Sequence, residues 1–183
     1  MRVITGKYRG KVLTSPKNDS VRPTPDKVKE AVFNILGASV DGAAWLEPFG
    51  GAGGMAVEAL SRGAARAVLI DAAKESFRLI KENLAKVGAE NGEVLYGDAA
   101  VVMRRLAADG ERFDLIYLDP PYASGLDQKI LDLDATASLL KERGKIIAEH
   151  ESKDLRIPKG FAVESERRYG RVRITIIVKE ETS

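Results

Sequence analysis

Apolar and polar positions follow two different periods along this chain, and each period predicts a different kind of element. A stripe at helical spacing follows Pro25 and consists of Val28, Ala31, Val32, Ile35 and Leu36. Thr24 can cap this helix with Pro25 at its first position, and Gly37 can end it. Short apolar runs such as residues 113–118 instead predict buried strands, because turn residues bound them on both sides.

Beyond the first helix the two patterns alternate in a regular order. The runs predicted as strands are residues 43–49, 67–71, 93–96, 113–118 and 145–149. The segments predicted as helices are residues 53–62, 74–87, 100–108 and a stretch near 126–140. Repeated units of a strand followed by a helix predict an α/β fold, in which a mostly parallel sheet carries helices on both faces.

The two ends of the chain depart from this alternation. Residues 161–168 and 172–178 are strand-like runs joined by a Tyr169-Gly170 turn, which predicts an antiparallel hairpin that closes the sheet. Near the start, residues 2–5 and 11–14 flank a turn bounded by glycines and predict a short hairpin-like arm. We therefore expect an arm over residues 1–20 and one α/β domain over residues 21–183.

Composition excludes several classes of chemistry. The chain of 183 residues has no cysteine and one histidine, which argues against disulfides, cysteine nucleophiles and multi-histidine metal sites. His150 follows a buried strand and is interpreted as a satisfied polar group rather than a base. No apolar run approaches the ~18 residues of a membrane helix, and the start does not resemble a signal peptide. We expect a cytoplasmic monomer without a metal.

Positive charge is concentrated at the start of the chain. Residues 1–30 contain eight Lys or Arg and three Asp or Glu, whereas the whole chain has a net charge of only +2. A cationic arm on a slightly acidic body predicts a polyanionic partner, although a solvated basic surface would give the same pattern. The candidate contacts on the arm are Arg2, Lys7, Arg9 and Lys11.

A glycine-rich turn follows the first predicted strand and reads EPFGGAGG over residues 47–54. Glycines at the start of a helix allow a ligand to approach the backbone closely. The run from Gly51 to Ala56 fits the dinucleotide pattern G-x-G-x-x-A, and Asp71 follows Gly51 by 20 residues, as expected for a residue that binds a ribose. A nicotinamide-dependent oxidoreductase is therefore one possible interpretation.

Three features favour S-adenosylmethionine instead. Glu47 precedes the glycines, where its charge would attract the cationic methionine end of that cofactor and repel a pyrophosphate. Asp98 ends the third strand, where it could accept a hydrogen bond from an adenine amino group or cap the next helix. The third feature is a polar motif at the end of the fourth strand. The expected cofactor-binding residues are Glu47, Phe49, Gly51, Gly53, Asp71, Asp98 and Ala99.

That motif is Asp119-Pro120-Pro121-Tyr122. Proline has no N–H to donate to a sheet, so the apolar strand before the motif must end at Asp119. Asp119 and Tyr122 are thereby held on a stiff turn at the carboxyl edge of the sheet, where open α/β sheets bind their ligands.

These motifs together resemble class I methyltransferases that act on exocyclic or amide nitrogens. The closest resemblance is to the bacterial RsmD family of 16S rRNA guanine-N2 methyltransferases, and it extends over essentially the whole chain. The matching segments are RPT at residues 22–24, DKVKEAVFNIL at 26–36, EALSRGA at 58–64, DPPY at 119–122, Glu149-His150 and Tyr169-Gly170. Departures from the family pattern are Pro48, Ala52 and Asp71, the last where the family usually has Glu.

The resemblance implies a Rossmann-like fold with a seven-stranded sheet and a reaction that converts S-adenosylmethionine to S-adenosylhomocysteine. It implies that the substrate is 16S rRNA or a small-subunit assembly intermediate, and that Arg22 and Thr24 lie near the active site. Asp119 and the Pro120 carbonyl would accept the two N–H groups of the guanine amine, Pro121 would stiffen the turn, and Tyr122 would stack on the flipped base.

Two other classes of function remain open at this point. A nicotinamide-dependent oxidoreductase should bind NAD, but it leaves residues 119–122 unexplained. A catalytically silent RNA-binding protein should bind RNA but not S-adenosylmethionine. A DNA adenine methyltransferase shares the motif after the fourth strand, but it usually carries a target-recognition insertion for which this chain has no room.

Overall fold

The fold is built around one mixed sheet of seven strands. The computed structural model describes residues 1–16, 24–121, 124–151 and 155–180. The strands are β1 (Ala44–Glu47), β2 (Arg66–Asp71), β3 (Gly92–Tyr96), β4 (Phe113–Leu118), β5 (Leu140–His150), β6 (Phe161–Tyr169) and β7 (Val172–Lys179). They lie side by side in the order β3-β2-β1-β4-β5-β7-β6.

The sheet is parallel except at its C-terminal edge. β1 pairs in parallel with β2 and β4, β2 with β3, and β4 with β5, whereas β7 runs antiparallel to β5 and β6. The α/β class and the closing antiparallel hairpin are thus confirmed. The chain changes direction across the sheet between β1 and β4, which makes the carboxyl ends of these strands the expected place for a ligand.

One helix precedes the sheet, and the others connect its parallel strands. The helices are α1 (Asp26–Leu36), α2 (Gly54–Ser61), α3 (Lys74–Val87), α4 (Ala99–Ala108), α5 (Leu126–Leu131) and α6 (Asp134–Leu139), with a 3-10 helix at Gly37–Val40. Within the described ranges no helix has both the length and the apolar character needed to cross a membrane.

The single helix predicted near residues 126–140 is wrong. Leu133 is extended, with ψ of 125°, and separates α5 from α6. The strand that follows begins at Leu140 rather than at residue 145, because Phe113 of β4 pairs with Leu140. Gly144 permits this early start, since a Cβ there would lie only 2.9 Å from the Asp114 carbonyl oxygen. Apolar residues continue at helical spacing across Leu133 and up to Leu140, so the sequence pattern does not indicate where α5 ends or where β5 begins.

The predicted cap of the first helix is also wrong. Pro25, not Thr24, is the N-cap residue of α1, and no side chain caps this end. Pro25 is extended, with ψ of 142°, so it lies outside the helix, and its carbonyl oxygen accepts hydrogen bonds from the N–H groups of Val28 and Lys29.

The arm at the start of the chain packs firmly on the domain. One antiparallel bridge joins Arg2 to Val12, which agrees with the predicted hairpin-like shape. Val3, Tyr8 and Leu13 are buried in the same apolar cluster as α1, α2 and α3. The division into an arm over residues 1–20 and a domain from residue 21 stays a prediction, and part of this boundary lies outside the described residues.

Two buried polar side chains hold the arm in place. The Glu58 carboxylate accepts hydrogen bonds from the backbone N–H groups of Ile4 and Thr5, at 2.9 and 3.0 Å. The Asn83 amide bonds both backbone groups of Thr14 and also donates to the Ala52 carbonyl oxygen, at 2.9 Å. Asn83 therefore connects the arm to the glycine-rich turn.

Candidate active site

A cavity of about 710 Å³ opens at the carboxyl ends of the parallel strands. Most of the predicted site residues line it, namely Thr24, Glu47, Phe49, Gly51, Asp71, Asp98, Ala99, Asp119, Pro120 and Pro121. Arg22 and Tyr122 lie outside the described residues. The structure thus brings together, at the change of direction between β1 and β4, side chains that are far apart in the sequence.

The glycine-rich turn forms one wall of the cavity, but only some of its glycines line the cavity. Gly51 lines the cavity and has a φ of 57°, a conformation that favours glycine. Gly53 does not line the cavity; it is buried against Leu69 and Ile80 and precedes α2 with a φ of 79°. Gly53 thus shapes the turn before α2, and its contact with the cofactor stays a prediction.

Asp71 supports this turn directly. One carboxylate oxygen accepts the N–H of Gly51 at 2.9 Å, and the other accepts the N–H of Ala73 at 2.8 Å. Partial burial raises the pKa of Asp71, while these N–H groups act in the opposite direction. Each carboxylate oxygen can accept more than one hydrogen bond, so Asp71 can hold the turn and still bind a ligand hydroxyl.

Asp98 caps a helix and also lies at the cavity. It is the N-cap residue of α4, and its Oδ1 accepts the N–H of Val101 at 3.1 Å. It also lines the cavity together with Ala99. A helix cap and a ligand contact are compatible at this position because a carboxylate has a second oxygen.

Three carboxyl groups follow one another across the neighbouring strands β1, β4 and β5. Glu47 ends β1, Asp119 directly follows β4, and Glu149 is the second-last residue of β5. All three line the cavity. We call Glu47, Asp119 and Glu149 the acidic row.

Aromatic side chains fix two carboxyl groups of the acidic row by hydrogen bonds. Trp45 donates from Nε1 to Glu47 Oε2 at 3.1 Å, and the Tyr117 hydroxyl donates to Glu149 Oε2. The Trp45 and Tyr117 rings stack on each other with centroids 5.7 Å apart, and Phe33 of α1 stacks on the other side of Trp45. Two of the three carboxyl groups are thereby fixed by rings that are themselves fixed by packing.

Burial of the acidic row disfavours its ionised form. It raises the pKa of Glu47 from 4.5 to about 8, and the nearby Asp119 acts in the same direction while the Trp45 hydrogen bond opposes it. Burial and the charge of Glu149 raise the pKa of Asp119 well above its ordinary value. Burial also raises the pKa of Glu149, against the hydrogen bond from Tyr117. Such a site favours a cationic ligand, which would stabilise the ionised carboxyl groups.

Sequence reasoning did not assign Tyr117, Glu149 or Lys29 to the site, although all three line the cavity. Glu149 follows a buried apolar run just as Asp119 does, but no proline after it marks the end of a strand. Lys29 lies in the first helix at a position outside its apolar stripe, where a charged side chain normally faces solvent. Its side chain is nevertheless only 2% exposed. Its Nζ lies 4.0 Å from Glu58 Oε2 and donates to the Arg2 carbonyl oxygen at 3.3 Å.

His150 is held among polar side chains of β6 and β7. It is buried, and its Nε2 lies 2.8 Å from Thr175 Oγ1, which in turn donates to Glu166 at 3.0 Å. Arg173 pairs with the same Glu166 at 2.6 Å. His150 is not among the residues that line the cavity, which agrees with its interpretation as a satisfied polar group.

The predicted cations of the arm do not line the cavity. Arg2, Lys7, Arg9 and Lys11 are all exposed. Lys7 and Lys11 lie over the Tyr8 ring, with Nζ 5.3 and 5.4 Å from its centroid, and Lys11 also donates to the Val87 carbonyl oxygen at 2.9 Å. These side chains therefore lie on the surface outside the cavity, and their contact with a polyanion stays a prediction.

Comparison with known proteins agrees with the fold. Ribosomal RNA small subunit methyltransferase D of Escherichia coli K12 is 36% identical over 144 residues, which cover 79% of this chain and 68% of that protein. The solved structure of yhhF from Escherichia coli superposes with a TM-score of 0.86 at 32% identity and covers 98% of both chains. SMU.776, solved in complex with SAH, shares the fold at 16% identity with a TM-score of 0.65, over 82% of this chain and 48% of its own.

A family model described as conserved hypothetical protein 95 matches residues 1–178, nearly the full length of the chain. The match includes the arm, the glycine-rich turn, the acidic row and the closing hairpin. The chain belongs to this family, which is the RsmD family that its motifs resemble.

Proposed function

We propose that this protein transfers a methyl group from S-adenosylmethionine to the exocyclic N2 amine of a guanine in 16S rRNA. The observation that carries the proposal is the position of Asp119 and Pro120, which directly follow β4 and line the cavity beside the glycine-rich turn. A methyl donor bound by that turn and an amine bound by Asp119 would lie in the same cavity.

The cofactor fits the charges and shapes of this cavity. S-adenosylmethionine carries an ammonium and a sulfonium, which the acidic row would attract. Asp71 would accept hydrogen bonds from the ribose hydroxyls, and Asp98 would accept one from the adenine amino group. A pyrophosphate, unlike an ammonium or a sulfonium, would not stabilise the ionised form of the buried Glu47, which disfavours a nicotinamide cofactor.

The transfer needs positioning rather than a covalent enzyme intermediate. The guanine amine is a weak nucleophile because its lone pair is delocalised into the ring. Asp119 and the Pro120 carbonyl oxygen would accept its two N–H groups and turn the lone pair toward the sulfonium methyl. As the nitrogen gains positive charge, the ionised Asp119 would stabilise it, and the proton would leave after the methyl group has been transferred.

RNA would bind across the face that carries the arm. The exposed Arg2, Lys7 and Arg9 supply positive charge for phosphate contacts, which explains why the arm is basic while the body is slightly acidic. The target base would leave the RNA stack and enter the cavity, with Tyr122 as its stacking partner. The name of the relative from Escherichia coli supports a small-subunit RNA as the substrate.

Replacement of Asp119 tests the catalytic part of this proposal. We expect Asp119→Ala to fold and to keep most of its affinity for S-adenosylmethionine, because the ribose and adenine contacts come from other strands. Methyl transfer should fall by orders of magnitude, since the amine loses its acceptor and its charge stabilisation together. The measurement is transfer of a tritiated methyl group to ribosomal RNA or an assembly intermediate, followed by nucleoside digestion.

Two further variants sharpen this experiment. Asp109→Ala removes an exposed carboxylate at the end of α4 and should keep the wild-type rate. Tyr122→Phe keeps an aromatic ring and should retain much of the activity, whereas Tyr122→Ala should weaken productive RNA binding. A wild-type rate of guanine methylation by Asp119→Ala would overturn the mechanism.

A further inference from the structure

Glu149 lies beside Asp119 on the strand next to it. The last register pair between β4 and β5 joins Leu118 to Ala148. Asp119 directly follows Leu118 and Glu149 directly follows Ala148, so the two residues come next in this register. Neighbouring strands are about 4.8 Å apart, which places two carboxyl groups within reach of one planar base. Glu149 is only 4% exposed and lines the cavity.

The orientation of Glu149 is fixed before any substrate binds. Its Oε2 accepts the hydrogen bond of the Tyr117 hydroxyl, and the Tyr117 ring is stacked on Trp45. Burial raises the pKa of Glu149, but this hydrogen bond opposes that effect, and a bound sulfonium would also favour the ionised form. An ionised carboxylate can only accept hydrogen bonds.

We propose that Glu149 determines the choice of base by accepting the N1–H of guanine while Asp119 holds the adjacent N2 amine. This inference rests on the proposed function and assigns the specificity of that reaction to a residue. Guanine presents ring N1–H and exocyclic N–H donors side by side on its Watson–Crick edge. Adenine and cytosine also carry an exocyclic amine, but their neighbouring ring nitrogen has a lone pair instead of a hydrogen.

A fixed carboxylate therefore treats the three bases differently. With guanine, Glu149 and Asp119 meet only donors, the N1–H and the N2 amine, and both carboxylates would accept a hydrogen bond from the base. With adenine or cytosine, the ring lone pair would face a buried negative charge, and the Glu149 oxygen that faces the base would receive no hydrogen bond from it. A site built to hydrogen-bond one group rejects analogues that lack it far more strongly than a purely apolar pocket can.

An RNA with one changed base tests this assignment. After the target of the wild-type enzyme has been mapped by mass spectrometry, two RNAs are prepared that carry either guanine or 2-aminopurine at that position. 2-Aminopurine keeps the N2 amine but has a lone pair in place of N1–H. We expect the wild type to methylate guanine at least about 100-fold faster than 2-aminopurine.

Glu149→Gln should reduce this ratio to about 10-fold or less, because the glutamine amide can donate to the N1 lone pair as well as accept. Glu142→Gln, an exposed site on the same strand that pairs with Lys179, should keep the wild-type ratio. A defect in folding lowers both rates together and leaves the ratio unchanged, so the ratio separates recognition from structure. A wild-type ratio in Glu149→Gln would overturn the assignment.

If Glu149→Gln turns over too slowly, the same ratio is read from equilibrium binding of the two RNAs in the presence of S-adenosylhomocysteine. An unchanged binding ratio would equally overturn the role of Glu149. Failure of the underlying function has a different signature, since the wild type would then form no N2-methylguanosine in either ribosomal RNA or assembly intermediates.

Discussion

Single residues at this site combine a structural contact with a position on the cavity wall. Asp71 was predicted to bind a ribose, and the structure adds that its two oxygens hold the N–H groups of Gly51 and Ala73. Asp98 caps α4 while it lines the cavity. A short polar side chain at a strand end can do both because a carboxylate accepts several hydrogen bonds.

Replacement of Asp71 should therefore affect the cofactor more than the fold. We expect Asp71→Ala to lose roughly 1.5–3 kcal/mol of S-adenosylmethionine binding, because both the ribose acceptor and the support of Gly51 disappear. Asp71→Asn keeps one carbonyl acceptor and should lose less. Isothermal calorimetry provides the affinities, with Asp109→Ala as the control. Unchanged affinity in Asp71→Ala, or tight binding of NAD by the wild type, would contradict the cofactor assignment.

The sequence predicted Asp119 but not Glu149, and the reason is physical. Both follow buried apolar runs, but only Asp119 is followed by two prolines that force the strand to end. Whether the side chain of Glu149 faces the cavity depends on the register between β4 and β5, which a single sequence does not reveal. The hydrogen bond between the Tyr117 hydroxyl and Glu149 depends on the same register.

At the scale of elements, a strand or helix was predictable wherever its apolar residues kept one spacing over the whole segment. The exceptions are α5 and α6, where apolar residues continue at helical spacing across the extended Leu133. The arm was predicted from its glycines and charges, but its packing was not. The contacts of Glu58 and Asn83 with the arm join segments more than 50 residues apart, so no local pattern indicates them.

The exposed charges of the arm give a prediction about RNA affinity. Replacing Arg2, Lys7 and Arg9 with glutamine should weaken RNA binding and reduce the salt slope of log K by roughly 2 to 3, because fewer counterions are released. Cofactor affinity should not change, since these side chains do not line the cavity. Binding is measured by fluorescence anisotropy over a series of salt concentrations.

A matched triple variant removes the same charge from the opposite face of the sheet. Arg104, Arg105 and Arg112 are exposed on α4 and the loop after it, and α4 packs in the apolar cluster that does not contain the arm. Their replacement with glutamine should leave most of the salt slope intact. Equal slopes for the arm variant and the wild type would exclude the arm as the RNA contact.

At the scale of the whole molecule, we expect the acidic row to make the free energy of unfolding depend on pH. The pKa of Glu47 is about 8 in the folded chain, compared with an ordinary value of 4.5. Between these values the folded state holds a proton that the unfolded state has released, so stability falls as the pH rises. Asp119 and Glu149 shift in the same direction, whereas Asp114 and Glu166 shift in the opposite one.

The free energy of unfolding of the cofactor-free protein should therefore decrease between about pH 5 and about pH 8, by an amount on the order of a few kcal/mol, since one pKa unit corresponds to about 1.4 kcal/mol. Urea unfolding at a series of pH values measures this change. Glu47→Gln cannot ionise and should flatten the dependence, and saturating S-adenosylmethionine should flatten it in the wild type. The same slope in Glu47→Gln as in the wild type would remove Glu47 as its source.

The acidic lining of the cavity also bears on how the enzyme completes a cycle. Methyl transfer turns the sulfonium of the cofactor into a neutral thioether, so the spent molecule loses one of the two positive charges that the carboxyl groups attract. Fresh cofactor would keep both charges and so have the stronger electrostatic attraction to the vacated cavity. Each methyl transfer would thereby weaken the binding of its own product, S-adenosylhomocysteine. Exchange of this product for a new S-adenosylmethionine would be favoured without a conformational change.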